Sequence, residues 1–246
     1  MRQTNTGMQV DELQSYLFDG QPHILTPAMK TWLTSSRRYT AFVTTFRDKI
    51  RKKLRTTQDP ETLQDLRLEL ETAYLLLQEQ QFHLVYEPQC EQKRCPDYAV
   101  TFTSRLTFMV EITRLRSVLL PDQPFTTAAG VEPLADTICG KLGQLLPQHS
   151  NVLIVGVDSL HMTQSDLQAV MLRIQQRAER SDPAFWQRYR IKDRADFFRH
   201  YQRLSEVLVR GLDLQTNGAA VAWVNPQAKE SLPGKVRTSL YRSHSV

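Results

Sequence analysis

Glycine is scarce in this chain, with nine in 246 residues. None of them forms the phosphate-cradling loop of an NTPase or the glycine fingerprint of a dinucleotide-binding turn, and no Gly-x-Ser-x-Gly elbow occurs. These absences argue against an NTPase, a dehydrogenase and an α/β-hydrolase. Cysteine is scarcer still, at three: Cys90, Cys95 and Cys139. So small and odd a number predicts a reducing compartment and no disulfide framework. Cys90 and Cys95 make one C-x4-C pair, with no second pair at zinc-ligand spacing. The six histidines are scattered, without His-x-x-x-His spacing, which argues against a histidine metal centre. No apolar run approaches the roughly 20 residues that cross a bilayer. The opening MRQTNTGMQVDELQ lacks the apolar stretch of a signal peptide. The expectation is a soluble, cytoplasmic protein with no membrane partner. No internal repeat or low-complexity block is visible.

What the chain does have is an ordinary apolar fraction of 41%, enough for a substantial core, and a net charge of +5 that favours polyanions only weakly. Residues 1–58 read as a helical, basic N-terminal extension. Its first 27 residues are polar and weakly patterned. The stretch 28–55 then carries an apolar stripe (Trp32, Phe42, Val43, Phe46, Ile50) and a basic face from Arg47 to Arg55 that reads as solvated rather than DNA-binding. Asp59-Pro60 is a helix start, with Leu63, Leu66, Leu70, Ala73 and Leu77 at helical spacing to about residue 80. Short strands follow in FHLVYE, CPDYAVTF and TFMVEIT, then a helix over 131–146. NVLIVGV (residues 151–157) is apolar throughout, which predicts a strand buried on both faces at the centre of a sheet. Residues 163–211 read as a helical insertion, 219–224 as a last strand, and 226–246 as a basic, irregular tail. The fold class is α/β: a three-layer core over 59–225, with a central mixed sheet of three antiparallel strands and one parallel pairing, flanked by helices.

The chemistry lies in Pro96-Asp97, followed fourteen residues later by Glu111-Ile112-Thr113. An acid at the start of one strand and an acid in the next converge on one side of a hairpin. Two such carboxylates, half-buried, repel each other and need a cation or a proton. Oxygen ligands of this kind suit Mg²⁺ or Mn²⁺. A metal-dependent hydrolase of phosphodiesters follows as the expectation.

The order helix, strand, PD strand, ExT strand, helix, buried strand resembles the PD-(D/E)xK nuclease superfamily over about residues 60–157. Further likeness to prokaryotic proteins of this type lies in Glu87-Pro88, Pro96-Asp97-Tyr98, Val110-Glu111-Ile112-Thr113-Arg114 and Lys141-Leu142-Gly143-Gln144-Leu145. The resemblance implies a restriction-endonuclease-like fold and a nuclease acting on nucleic acid, DNA first. It implies Mg²⁺ or Mn²⁺ held by Asp97, Glu111 and the carbonyl of Ile112. An acid on the first helix would assist; Glu69, beside the Leu66–Ala73 stripe, is the first choice and Glu71 the second. Arg114 and Arg116 would contact phosphates beside the scissile bond, and a homodimer would let both strands be cut. Thr113 departs from the pattern, because it stands among the substrate-facing positions where the motif has lysine. Two accounts stay open. Lys141, whose stem reaches about 6 Å, replaces the lysine from the next helix with Gln144 one turn on to bind water or phosphate. Alternatively, the site is inactive and the fold binds nucleic acid or a protein without cutting.

Overall fold

The computed structural model describes residues 4–89, 95–103, 105–116, 128–158, 162–180, 183–212 and 219–244. The chain divides into two compact units, Met1–Leu84 and Val85–Val246.

The first unit is helical: α1 (Thr4–Phe18), α2 (Thr26–Ser35), α3 (Arg37–Thr45), α4 (Arg47–Thr56) and α5 (Pro60–Leu76). The polar beginning of the chain is therefore a helix, and it buries Val10, Leu13 and Leu17 along one narrow stripe. Local capping sets the boundaries. Ser36 accepts the Tyr39 N–H at 3.2 Å to open α3. Asp59 accepts the Thr62 N–H at 3.0 Å, with Pro60 in the first turn of α5. Met29, Leu33, Tyr39, Val43 and Ile50 form the interior. The basic face of α4 is largely occupied within the unit. Arg51 and Arg55 both bond Asp19, and Lys53 bonds Glu69 at 2.7 Å. The Arg47 and Arg51 guanidinium groups lie over the Tyr16 ring. Arg38 donates to the carbonyls of Leu77, Glu79 and Phe82, tying down the chain where it leaves α5.

An open six-stranded mixed sheet follows: β1 (Phe82–Tyr86, which crosses the boundary between the units), β2 (Tyr98–Phe102), β3 (Leu106–Arg114), β4 (Asn151–Val157), β5 (Leu204–Gly211) and β6 (Val221–Val224). The strands lie side by side in chain order. β2 and β3 are antiparallel, β3–β4 and β4–β5 parallel, β5–β6 antiparallel. The apolar run of β4 is buried at every position, as a strand covered on both faces must be. On one face Leu153, Val155, Val157, Val207 and Val209 pack with α6 (Ala128–Leu142), α7 (Gln164–Glu179), α8 (Pro183–Tyr189) and α9 (Arg194–Tyr201). Glu132 on α6 receives Arg173 and Arg177 of α7 at 2.9 and 2.8 Å, and Asp136 receives Arg188 and Tyr189 of α8. The Arg-rich surface of α7 is thus largely a set of bonds between helices.

Three expectations need correction. The segment 204–211, read as the end of a helical insertion, is β5, buried throughout; Glu206 and Arg210 interrupt its apolar pattern and hide it. Its presence adds a second parallel pairing. The tail is not irregular either, since α10 (Gly234–Ser243) packs there. Glu206 alternates with Val207, so it faces away from α6 and α7, and it receives Arg237 at 2.6 Å and Tyr241 at 2.8 Å from α10. α10 therefore covers the second face. At its end the buried His244 ring bonds Ser243 and the Leu240 carbonyl, and burial beside Arg210 pushes its pKa down to about 4. Finally, Cys95 is disulfide-bonded, where the cysteine count predicted a reducing compartment and no disulfide framework, and Cys139 is a buried free thiol; Cys90 lies outside the described residues. No helix among the described residues is long and apolar enough to cross a membrane.

Asn151 starts β4 by replacing water at four backbone groups. Its amide nitrogen reaches the carbonyls of Leu146, His149 and Arg203, and its oxygen takes the Leu146 N–H, at 2.8–3.0 Å. Asn151→Ala leaves several of these buried groups unmet and is expected to cost about 2–4 kcal/mol, read as a lower urea midpoint at unchanged slope.

Candidate active site

The site is built at the point where β2 begins against β3. Tyr98 stands opposite Val110, so one place further along the register Asp97 stands beside Glu111 on the same face of the sheet. Glu111 in turn is level with Leu153 of β4, whose side chain packs under α6. Both acids therefore lie on the α6 face. Glu111 is 6% exposed. A carboxylate so placed needs a cation or hydrogen-bond donors.

Lys141, in the last turn of α6, supplies one. Its Nζ donates to Glu111 Oε1 at 2.8 Å, while about a quarter of its side chain still meets solvent. The lysine expected from the next helix is thus beside the second acid of the motif.

Asp97 is fixed differently. Its Oδ2 accepts the Ile112 N–H at 2.7 Å. The strand explains why that N–H faces it. Met109 and Leu115 donate their N–H groups to Ser150 and Gly156 on the β4 side, so the alternate residue Ile112 directs its backbone groups toward β2. Extending the register two places sets Pro96 opposite Ile112, and proline has no N–H to give to the Ile112 carbonyl. The Pro-Asp pair thus ends the ladder: the proline leaves the carbonyl without a donor from that residue, and the aspartate takes up the N–H. The Glu87 N–H donates to the Asp97 carbonyl at 2.8 Å. Glu87 does so from a left-handed backbone, φ +43°, which costs a non-glycine residue about 1–2 kcal/mol. Sequence gave no sign of this strain; an acid followed by proline at a strand end was its only trace. Tyr86 and Tyr98, stacked at 5.4 Å and fully buried, brace the ends of β1 and β2 on either side.

The remaining expected site residues divide. Thr113 lies on the Glu111 face, half-buried and neutral. Arg114, expected as a phosphate contact, turns to the face opposite Glu111, is buried, and lies 3.6 Å from Asp158. Arg116 is exposed just past the end of β3. Gln144 is not a helical residue, because α6 stops at Leu142; it sits in a turn whose N–H reaches the Lys141 carbonyl at 2.9 Å. Glu69 belongs to the helical unit and is held by Lys53. The more buried acid of α5 is Glu71, at 3% exposure, although Glu69 lies beside the leucine stripe.

Two carboxylates and a backbone carbonyl are hard oxygen donors, and that donor set fits Mg²⁺ or Mn²⁺ better than a softer metal. Among the described residues, no three of His, Cys, Asp and Glu come together as a metal cluster. Chemically, the arrangement can hold a hard cation between Asp97 and Glu111 and present one ammonium beside it. No family model, no curated protein and no solved structure matches the chain.

Proposed function

We propose that the chain is a metal-dependent phosphodiester hydrolase, a nuclease with a restriction-endonuclease-like core that acts on DNA. The observation that carries this reading is the position of Lys141: its ammonium is 2.8 Å from Glu111, on the face that Asp97 shares. An ion pair between a helix end and a buried strand adds little stability, because desolvation offsets attraction. Its value lies in placing a positive charge next to the two acids, where the motif of the resemblance needs one and Thr113 cannot provide it.

In this reading Asp97, Glu111 and the Ile112 carbonyl hold Mg²⁺ or Mn²⁺. The ion, when bound, supplies a water of lowered pKa and neutralises charge at phosphorus. The Asp97–Ile112 hydrogen bond keeps the first carboxylate aimed along the strand edge. Lys141 faces the charge that grows on the phosphate oxygens and stabilises it without reorganisation. DNA as substrate and pairing of two copies come from the resemblance, with weak support from the net charge of +5.

A second reading is a nuclease-fold module that binds without cutting. The Glu111–Lys141 pair favours it, since the buried carboxylate has its cation without a metal. Plasmid nicking separates the two. With Mg²⁺ or Mn²⁺, the wild type is expected to nick supercoiled DNA, and Asp97→Ala to lose about a hundredfold or more. Equal nicking by both proteins would remove the hydrolase. Absence of nicking together with retained DNA in a gel shift would establish the binding module.

A further inference from the structure

A second feature, in the helical unit and independent of the nuclease reading, is a cavity of about 540 Å³ between the α1–α2 connection, the end of α4 and the first turns of α5. That volume lies in the range of small-molecule sites. Leu25, Leu54 and Leu63 give it apolar walls, and Ile24 stands beside them at 69% exposure. Its polar groups are uneven. Arg55 is already paired with Asp19, which it shares with Arg51. The Leu25 N–H donates to His23 Nδ1 at 3.1 Å, and burial lowers the pKa of that ring, so the neutral imidazole carries its proton on Nε2 as a donor. Arg67 is different: it lines the cavity, makes no ion pair, and its buried Nε has no hydrogen-bond partner among the described residues.

A buried guanidinium nitrogen without an acceptor is costly, and a guanidinium fork is matched best by a planar anion. Apolar walls with an uncompensated arginine and a neutral donor select a ligand that is apolar along its length and negative at one end. We propose that this cavity binds a small organic carboxylate with an apolar body, the carboxylate on Arg67 and the body against Leu25, Leu54 and Leu63. An aliphatic acid suits it better than a nucleotide, because none of the described residues lining it is a phenylalanine, tyrosine or tryptophan on which a base would stack.

The test uses the full chain with three probes: octanoate, 1-octanol and adenosine monophosphate. Calorimetric titration is expected to show octanoate binding with a matching rise in melting temperature. Arg67→Gln, which keeps the length of the contact and removes the charge, is expected to weaken octanoate at least about tenfold and to leave 1-octanol unchanged. Ala28→Phe, which fills the cavity from α2, is expected to abolish octanoate binding while circular dichroism stays native. Failure of octanoate to bind at millimolar concentration would overturn the proposal. So would equal binding by Arg67→Gln, 1-octanol binding as tightly as octanoate, or adenosine monophosphate binding more tightly. Asp97→Ala is expected to bind octanoate as the wild type does, so loss of the nuclease reading leaves this result standing.

Discussion

Lys141→Met is expected to lower plasmid cleavage by about a hundredfold to a thousandfold, the usual effect of removing one pre-placed electrostatic donor. Methionine keeps most of the apolar stem and removes only the ammonium. The cost to the fold is smaller than for a fully buried pair. Glu111 is nearly inaccessible, but a quarter of the Lys141 side chain is in water, so the loss falls to about 1–2 kcal/mol. A second measurement tests whether the metal binds at Glu111. In the variant, Glu111 has lost the cation at its Oε1, so a divalent ion gains more by binding there. Mn²⁺ is therefore expected to raise the melting temperature of Lys141→Met by more than that of the wild type. A lysine with a purely structural role would leave cleavage by the folded variant unchanged, and an equal Mn²⁺ response in both proteins would mean that the ion does not bind at Glu111.

Arg237→Ala is expected to cost about 2–4 kcal/mol at neutral pH, more than Lys141→Met because Glu206 is wholly buried, though the 29% exposure of the Arg237 side chain trims the full cost of a broken buried pair. Glu206 has no exposed surface, and Arg237 and Tyr241 are its hydrogen-bond donors from α10. Burial pushes the Glu206 carboxyl above its ordinary range, and those two groups pull it partly back. The pH dependence follows in sign. A carboxyl whose pKa is raised in the folded state holds its proton there more than in the unfolded chain. Stability is thus fully present below the ordinary glutamate range and declines as pH rises through the raised value. Removing Arg237 removes the stronger downward pull, so the decline extends to higher pH and deepens. The deficit of Arg237→Ala should accordingly be smaller at pH 5 than at pH 8 in urea denaturation, and adding Glu206→Gln should remove most of that difference. A deficit of equal size at both pH values would mean that packing, not charge, is what Arg237 supplies.

The parts of this chain that sequence made legible are those where one short-range rule acts alone. β4 is apolar at nearly every position and could only be central. Asp59-Pro60 marks the start of α5 by capping chemistry. Asp97 and Glu111 share a face because a two-residue period and an antiparallel partner require it. The position of Lys141 was accessible too, since a helix that crosses between parallel strands must lie over the strand it follows. The failures are those where a distant partner decides. β5 carries Glu206 and Arg210 on the face that α10 covers, so its alternation looked like a helix with charged residues until α10 supplied the cations. Arg114 seemed to belong with Glu111 by adjacency, but neighbouring residues on a strand face opposite ways. Glu71 outranks Glu69 in burial because the helix is covered on more of its circumference than one leucine stripe suggests.

The sheet has a further property: its spatial order is its order of synthesis. Each strand leaving the ribosome finds its neighbour already made, so no early strand has to wait for a late one to be inserted between it and its partner. The same arrangement leaves β4, the most apolar strand, with one bare edge until everything between Val157 and Leu204 has been translated. At roughly 5–20 residues per second that interval lasts seconds. A nascent chain stalled there would offer an open template for intermolecular pairing, and slow codons in that stretch would be expected to lower the yield of native protein.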